Sequence, residues 1–224
     1  MNLPFDWTIR SAVPEDGMAI AGILRDCWPD DTPDIQRITR LIESGQHLTQ
    51  CAWRSASCVG FVDAFRTVSA AGICRWEVDL LAVHSSTRGR GVGRGLVAAS
   101  VREASQGVSI ARGLIRMGNR ASEGAFAAAG FKAKDQSLTL FVAPPLTTLG
   151  SPERSFVVPV ETLTYSGLWL ESSPSPDALF AGRVQAAVMG MGQVGTLVSE
   201  DHRVLCADAG YGEIGNYRWW ELQF

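Results

Sequence analysis

A short segment rich in glycine and arginine has the composition of an anion-binding loop. Residues 88–95 read RGRGVGRG, with four glycines and three arginines among eight residues. Glycine allows main-chain N–H groups to turn toward a bound group without steric interference from a Cβ atom. Arginine offers planar pairs of donors that suit phosphate oxygens. An apolar run precedes the segment and a helical pattern follows it, so we expect a phosphate-binding loop at the start of a helix.

The spacing within this loop excludes several common motifs. The Walker A motif requires a lysine, and none lies near the loop. The dinucleotide fingerprint G-x-G-x-x-G fails because Arg94 or Leu96 stands where its third glycine is required. The serine hydrolase motif G-x-S-x-G does not occur. The pattern that fits is R-x-x-G-x-G, formed by Arg88, Gly91 and Gly93.

The elements around the loop indicate an α+β fold. Apolar periodicity predicts the order βααβββαβαβ up to residue 143, with a mostly antiparallel start because three strands follow one another before the loop. The segment PPLTTLGSP (144–152) indicates a boundary. We therefore place a main domain at residues 1–145 and a smaller C-terminal α+β region at 146–224.

The C-terminal region is predicted to contain four strands and one helix. The strands are LTYSGLWLE, VGTLVSE, RVLCADAG and NYRWWELQF, and the helix is PDALFAGRVQAAVMG. The last strand alternates apolar and polar residues, so one of its faces is expected to be buried. It could pair with the main sheet, within one chain or between two.

The loop and its surroundings resemble the GCN5-related N-acetyltransferase (GNAT) superfamily, whose members bind acetyl-CoA. LLAVHSSTRGRGVGRGLV resembles the family's strand, loop and helix, and Asn119 followed by FAAAGF (126–131) resembles its asparagine and helix end. The resemblance covers about residues 5–143. It implies a GNAT-like mixed, mostly antiparallel sheet flanked by helices, with acetyl-CoA as the co-substrate.

The resemblance also implies a set of coenzyme contacts. Main-chain groups of the strand before the loop would pair with pantetheine, and loop amides and arginines would hold the pyrophosphate. The residues so assigned are Leu81, Ala82, Val83, Arg88, Gly89, Arg90, Gly91, Val92, Gly93, Arg94, Asn119 and Phe126.

Two acids on the preceding strand are the candidate catalytic bases. Amide formation from a thioester needs a neutral amine, whereas an alkyl ammonium has a pKa near 10, so a base must remove a proton. The family often places a glutamate at the position of Glu77, and Asp79 is the second candidate. Alternation predicts that Glu77, Asp79, Leu81 and Val83 share one face. The alternative is that both acids face solvent or pair with arginines.

The chain departs from the family pattern at the general acid, the group that would give a proton to the departing CoA thiolate. Phe126 stands where the family usually has tyrosine, and Tyr165, Tyr211 and Tyr217 all lie in the C-terminal region. His84 is a weak substitute. We predict an acetyl-CoA-dependent N-acetyltransferase that acts on a primary amine of a small molecule or peptide. The alternatives are an acyl-CoA-binding regulatory or weakly active domain, and an interaction protein whose C-terminal region forms a homodimer or partner surface.

Composition limits the expected partners and location. The net charge of −3 does not favour nucleic acid. No stretch approaches the roughly 18 apolar residues that span a bilayer, so no membrane segment is expected. Five cysteines without a CxxC pair predict reduced thiols, no metal site and a cytoplasmic protein.

The connection between the first two helices, DCWPDDTPD, is acidic. Its carboxylates would suit a cationic amine, or they could serve only for helix capping and solubility; they are Asp26, Asp30, Asp31 and Asp34. Trp28 could line an apolar slot or belong to the core, and we favour the core.

Overall fold

The computed structural model describes residues 6–104, 107–148 and 156–224. Part of the predicted boundary segment, residues 149–152, lies outside the described residues. No helix in the described ranges is long and apolar enough to cross a membrane.

The first part of the chain follows the predicted order of elements, with a short additional strand, β6. Its elements are β1 (Thr8–Ser11), α1 (Gly17–Cys27), α2 (Ile35–Ser44), β2 (His47–Arg54), β3 (Ser57–Val68), β4 (Cys74–Val83), α3 (Val92–Arg102), β5 (Ile110–Arg116), α4 (Arg120–Ala128), β6 (Lys132–Ala133) and β7 (Leu138–Ala143).

Within residues 156–224, the C-terminal region adds four strands and two helices. They are β8 (Val157–Glu161), β9 (Ser166–Leu170), α5 (Pro176–Val188), β10 (Gln193–Val198), α6 (Arg203–Asp208) and β11 (Gly212–Gln223). The prediction of a strand at RVLCADAG is wrong, because residues 203–208 form α6. A short apolar run does not by itself distinguish a strand from a helix that buries one side. Cys206 is buried here, whereas Val204 is exposed.

Local sequence signals explain where several helices begin and end. Asp34 caps α2 by accepting a hydrogen bond from the Arg37 amide, and Gly45 ends the helix in the left-handed conformation. Ser175 caps α5 in the same way, with Pro176 at the first helical position.

The strands form one mixed sheet that includes both parts of the chain. Its order is β1-β2-β3-β4-β5-β11-β7-β10-β9-β8, with β6 paired to β11. The pairs β4/β5 and β9/β10 are parallel, and the remaining pairs are antiparallel. The architecture is the predicted α+β fold, with a mixed, mostly antiparallel sheet flanked by helices. The last strand, β11, pairs along β5 within the same chain, and β7 in turn pairs with β10.

The hairpin of β8 and β9 is also fixed to the first part of the chain. Leu163 in its turn is 1% exposed and packs in the core formed by α1, α2 and the sheet. The Arg37 side chain of α2 donates hydrogen bonds to the carbonyl oxygens of Thr162 (2.7 Å) and Tyr165 (2.6 Å). The C-terminal region is therefore packed directly against α2.

Strand β4 has a β-bulge in the middle of its length. Leu80 pairs with Asp63 and Val78 pairs with Ala64, so Asp79 is an extra residue in this strand. The bulge changes which residues face α3 and α4: Val78 does so before it, and Leu81 and Val83 do so after it. The predicted alternation is therefore wrong, because Glu77 faces the other side of the sheet from Leu81 and Val83.

Strands β4 and β5 separate shortly after they begin to pair. Their parallel pairing covers only Arg75–Glu77 of β4 and Ile110–Arg112 of β5. Beyond these residues β5 continues to pair with β11, whereas the β5-facing edge of β4 is left open. The sheet is therefore split next to the bulge.

Candidate active site

Two left-handed glycines shape the loop that precedes α3. Gly89 has a φ of 75° and Gly91 a φ of 82°, a region in which residues with a Cβ atom are strained. Gly91 caps α3 without a side-chain hydrogen bond, so the N–H groups of the first turn are left for another partner. The positive end of the helix dipole lies at the same place. This backbone has the geometry of an anion-binding site.

A cavity of 770 Å³, here named the loop cavity, lies between this loop, the end of β4 and α4. It brings together eleven of the twelve predicted coenzyme contacts: Leu81, Ala82, Val83, Arg88, Gly89, Arg90, Gly91, Val92, Gly93, Arg94 and Asn119. Asn119 also caps α4 by accepting a hydrogen bond from the Ser122 amide (3.2 Å). Small residues on α4, such as Ala121 and Ala125, leave the cavity open.

Arg88 lies along the wall of the loop cavity. Its Nε donates to the Val83 carbonyl oxygen at 3.0 Å, and its Nη2 lies 3.4 Å from the Cys27 Sγ atom. Cys27 and Trp28 also line the cavity and were not predicted as part of it. Trp28 is 39% exposed, so its predicted place in the core is wrong. It follows Cys27, the last residue of α1, and its side chain borders the loop cavity instead.

Phe126 departs from its predicted role, because it is not part of the wall of the loop cavity. The side chains of α4 that face this cavity include Ala121 and Ala125, whereas Phe126 points into the core and is 3% exposed. The Phe126 ring packs against Gly113 of β5 so closely that a Cβ atom on this glycine would clash with it. The Val78 carbonyl oxygen of β4 lies on the same side, 3.1 Å from where that Cβ atom would be. The ring therefore lies where β4 and β5 separate, and it offers no hydroxyl there.

A second cavity, here named the aromatic cavity, lies against the opposite face of the sheet and has a volume of 190 Å³. Its walls come from both parts of the chain. They carry three acids, Glu77, Asp79 and Glu171, and two arginines, Arg75 and Arg112. The lining also includes five aromatic side chains: Phe65, Tyr165, Trp169, Tyr217 and Trp219.

Glu77 is held in a network of ion pairs. Arg112 binds its carboxylate through Nε at 2.8 Å and Nη2 at 2.9 Å, and Thr67 donates a hydrogen bond at 2.5 Å. Arg75 lies 3.3 Å from the same carboxylate and 2.6 Å from that of Glu171. Glu77 therefore fits the alternative stated for the sequence, in which this acid pairs with arginines. Its oxygens are already engaged, so it is poorly placed to accept a proton from a substrate.

Asp79 has no such partners. No hydrogen bond or ion pair joins its carboxylate to another side chain in the part of the chain that the structure describes. Desolvation by the surrounding protein, followed by the negative charges of Asp63 and Glu77, raises the pKa of Asp79 to about 7, while His47 acts in the opposite direction. The carboxylate is closely surrounded by protein atoms, yet the residue is exposed to solvent and opens onto the cavity. A carboxyl group with these properties can act as a base near neutral pH.

The two cavities lie next to each other along β4. Asp79 lines the aromatic cavity and Leu81, two residues further along the strand, lines the loop cavity. Two residues of a strand span roughly 7 Å. Because β4 and β5 have separated at this level, the split in the sheet lies between the two cavities.

The aromatic residues of the C-terminal region were missed by sequence reasoning. In sequence, Tyr165 and Tyr217 lie too far from Phe126 to replace it by alignment, and nothing near Trp169 or Trp219 indicates a role in the site. Burial, followed by the charge of Asp79, raises the pKa of Tyr165, so its hydroxyl keeps its proton at neutral pH. The pairing of β11 with β5 brings Tyr217 and Trp219 to the cavity that Asp79 lines. Tyr165 and Trp169 reach it because the β8–β9 hairpin packs against α2. Alternation indicates that the last strand could pair with the main sheet, but no local signal indicates its partner strand.

Other predicted polar residues have structural roles. Asp26 accepts hydrogen bonds from the Ser85 amide (2.7 Å) and hydroxyl (2.8 Å), and these bonds, the amide bond first, lower its pKa. Asp34 caps α2, as the alternative for the acidic connection proposed. His84 contacts Ser86 and lines neither cavity.

Comparison with known proteins identifies the family. The model of the acetyltransferase (GNAT) domain matches residues 15–139, more than half of the chain. The chain therefore belongs to the GNAT acetyltransferase family. No curated protein sequence matches it significantly.

Solved structures share the fold at low sequence identity. A Pyrococcus horikoshii protein assigned as an acetyltransferase aligns with a TM-score of 0.65 and 14% identity, over 100% of this chain and 92% of its own. A GCN5-related N-acetyltransferase from Sphaerobacter thermophilus aligns with a TM-score of 0.61 and 15% identity, over 99% of this chain and 97% of its own. Arabidopsis thaliana NAA60 in complex with acetyl-CoA aligns with a TM-score of 0.51 and 17% identity, over 59% of this chain and 88% of its own. The first two therefore share the fold of both parts of the chain.

Proposed function

We propose that the protein transfers an acetyl group from acetyl-CoA to a primary amine of a small molecule or peptide. The observation that carries this proposal is the position of Asp79, an unpaired acid in one cavity, beside a glycine-arginine loop that lines another. The free thiols of all five cysteines suit a reducing compartment, so the reaction is expected in the cytoplasm.

The loop cavity suits the coenzyme in size and chemistry. Its volume of 770 Å³ lies within the ordinary range for ligand sites, about 300–1,000 Å³. The amides after Gly91 and the side chains of Arg90 and Arg94 would hold the pyrophosphate. The edge of β4 from Leu81 to Val83 would pair with pantetheine, with Arg88 leaving the Val83 carbonyl oxygen. Bound acetyl-CoA supplies the acetyl group as a thioester.

Asp79 would prepare the amine for the transfer. It accepts one proton from the ammonium form, so that the nitrogen lone pair becomes available. The amine nitrogen then bonds to the acetyl carbon while the carbon–sulfur bond breaks. The nitrogen loses its remaining extra proton and the sulfur gains one, so the products are an amide and the free thiol of CoA.

The alternative function is binding of acyl-CoA for regulation, with weak or no turnover. Phe126 supports it, because this side chain lies at the split in the sheet and has no proton to give the departing thiolate. A homodimer formed through the C-terminal region also stays a prediction, and the mass of the protein in solution would test it.

Turnover with a panel of amines separates these functions. Purified protein is mixed with acetyl-CoA and each amine, and the release of the CoA thiol is followed together with the mass of the amine. Transfer predicts equal amounts of thiol and acetylated amine, at a rate that depends on the amine. Binding of acetyl-CoA without thiol release for any amine would support the alternative.

A further inference from the structure

We propose that the aromatic cavity is the acceptor site, and that it selects a primary amine with one positive charge, one flat apolar ring and no carboxylate. This inference rests on the proposed acetyl transfer. It also assigns a role to the C-terminal region, which builds most of the aromatic wall around Asp79.

The charges in the cavity leave one acid for the ligand. Glu77 is paired with Arg112, and Glu171 lies 2.6 Å from Arg75 and 3.7 Å from Arg112. Two acids and two arginines thus neutralise one another. Asp79 is the remaining charge, so the cavity matches one ammonium group better than two.

The same arrangement disfavours a ligand that carries a carboxylate. Both guanidinium groups that could bind it are already engaged by Glu77 and Glu171. The Arg112 guanidinium also lies 4.0 Å from the centre of the Trp219 ring, which fixes its orientation. A ligand carboxylate would approach Asp79 without a free cation beside it, so an amino acid is expected to bind less well than the corresponding amine.

The volume and the lining side chains of the aromatic cavity favour a ligand with a single ring. A cavity of about 150 Å³ is enough for benzene, so 190 Å³ accommodates one ring and a short arm. The faces and edges of Trp169, Tyr165 and Tyr217 offer stacking contacts to such a ring. They also stabilise an ammonium group beside Asp79 through cation–π attraction. A chain of several peptide units exceeds this volume.

The walls come from elements that are held firmly together. Tyr165 and Trp169 belong to the turn and second strand of the β8–β9 hairpin, which Arg37 and Leu163 fix to the first part of the chain. Trp219 lies on β11, directly paired with Leu114 of β5. The acceptor site is thus complete within one chain, and its specificity depends on residues after 156.

Binding measured without turnover tests this inference separately from the proposed function. With CoA present, 2-phenylethylamine is titrated into the full-length protein by calorimetry and compared with phenylalanine, putrescine and the tripeptide Ala-Ala-Ala. We expect 2-phenylethylamine to bind at least about tenfold more tightly than each of the other three compounds. Equal or weaker binding of 2-phenylethylamine would overturn the inference, whatever the activity of the protein.

Two variants locate the binding site. Trp169→Leu and Asp79→Asn are each expected to weaken 2-phenylethylamine binding about tenfold or more, while the affinity for CoA is unchanged because neither residue lines the loop cavity. Unchanged amine affinity in both variants would place the amine elsewhere and overturn the inference. The comparison of the four compounds with the unmodified protein still decides it if a variant does not fold.

Measured turnover then distinguishes a failure of the proposed acetyl transfer from a failure of the acceptor-site inference. If 2-phenylethylamine binds as expected but no amine releases thiol from acetyl-CoA, the proposed function fails. If other amines are acetylated and 2-phenylethylamine neither binds nor reacts, the proposed function stands and the acceptor inference fails.

Discussion

Replacing Asp79 with asparagine is expected to remove activity while making the protein more stable. The amide keeps the shape of the side chain but accepts no proton. General bases contribute about 10²–10⁴-fold to rate, so kcat/KM should fall at least about a hundredfold. With a pKa of about 7, the unmodified protein should gain activity as pH rises through 7 and then level off. The variant should lack this dependence.

The effect on stability has the opposite sign. The pKa of Asp79 is raised from 3.8 to about 7, so between these values the folded protein holds a proton that the unfolded chain has released. Stability therefore falls as pH rises through this range, and above pH 7 the ionised group is unfavourable. The full shift corresponds to about 4 kcal/mol. Because the side chain is accessible from the cavity, solvent screening reduces the expected gain to about 1–2 kcal/mol.

Two measurements test this prediction together. Thiol release is followed from pH 6 to 9, and the free energy of unfolding is measured in urea at pH 4 and pH 8.5. Asp79→Asn should be inactive and more stable than the unmodified protein at pH 8.5, with little difference at pH 4. Asp135→Asn is the matched control, since Asp135 is exposed and lines neither cavity. An Asp79→Asn variant with near-normal kcat/KM and the same rise near pH 7 would refute the reasoning.

Three further changes test other parts of the site. Gly93→Val should weaken CoA binding about a hundredfold in calorimetry, because its side chain would fill part of the loop cavity, where a Cβ atom already lies 3.7 Å from Leu81, Val83 and Ala125; unaltered affinity would contradict the loop assignment. Glu77→Gln should destabilise the protein by about 3 kcal/mol in urea, because Arg112 loses its main partner. Any remaining activity should still rise with pH, at a lower pH than in the unmodified protein, because the charge of Glu77 raises the pKa of Asp79; loss of the rise would favour Glu77 as the base. Maleimide labelling of Cys27 should slow when CoA is added, and labelling at an unchanged rate would place the coenzyme elsewhere.

Most of the elements in the first part of the fold follow from local sequence patterns. The periodicity of residues 7–143 and the caps of the helices are local signals, and the structure has the corresponding helices and strands. Strand β8 was missed because VVPVE contains Pro159, which argues against a strand in the middle of a sheet. The structure places β8 at the edge, where a proline is tolerated. The short helix α6 was mistaken for a strand because its apolar run is too brief to show a period.

The coenzyme loop was predicted as a unit, whereas the acceptor side was not. Loop residues are consecutive in sequence, so their spacing alone indicates a common site. The face of Asp79 depends on a bulge that alternation does not reveal. The neighbours of Asp79 depend on which strand lies beside β5, and Trp219 reaches that position from more than a hundred residues further along the chain. The alternation of the last strand indicates that it could pair with the main sheet, but it does not indicate which strand would be its neighbour.

A crystal structure with CoA and 2-phenylethylamine would locate both ligands at once. We expect the pyrophosphate at the amides of Gly89 to Arg94, the thiol at the split between β4 and β5, and the amine nitrogen within hydrogen-bonding distance of Asp79. A coenzyme bound outside the loop cavity, or an amine bound away from Asp79, would contradict the proposed arrangement.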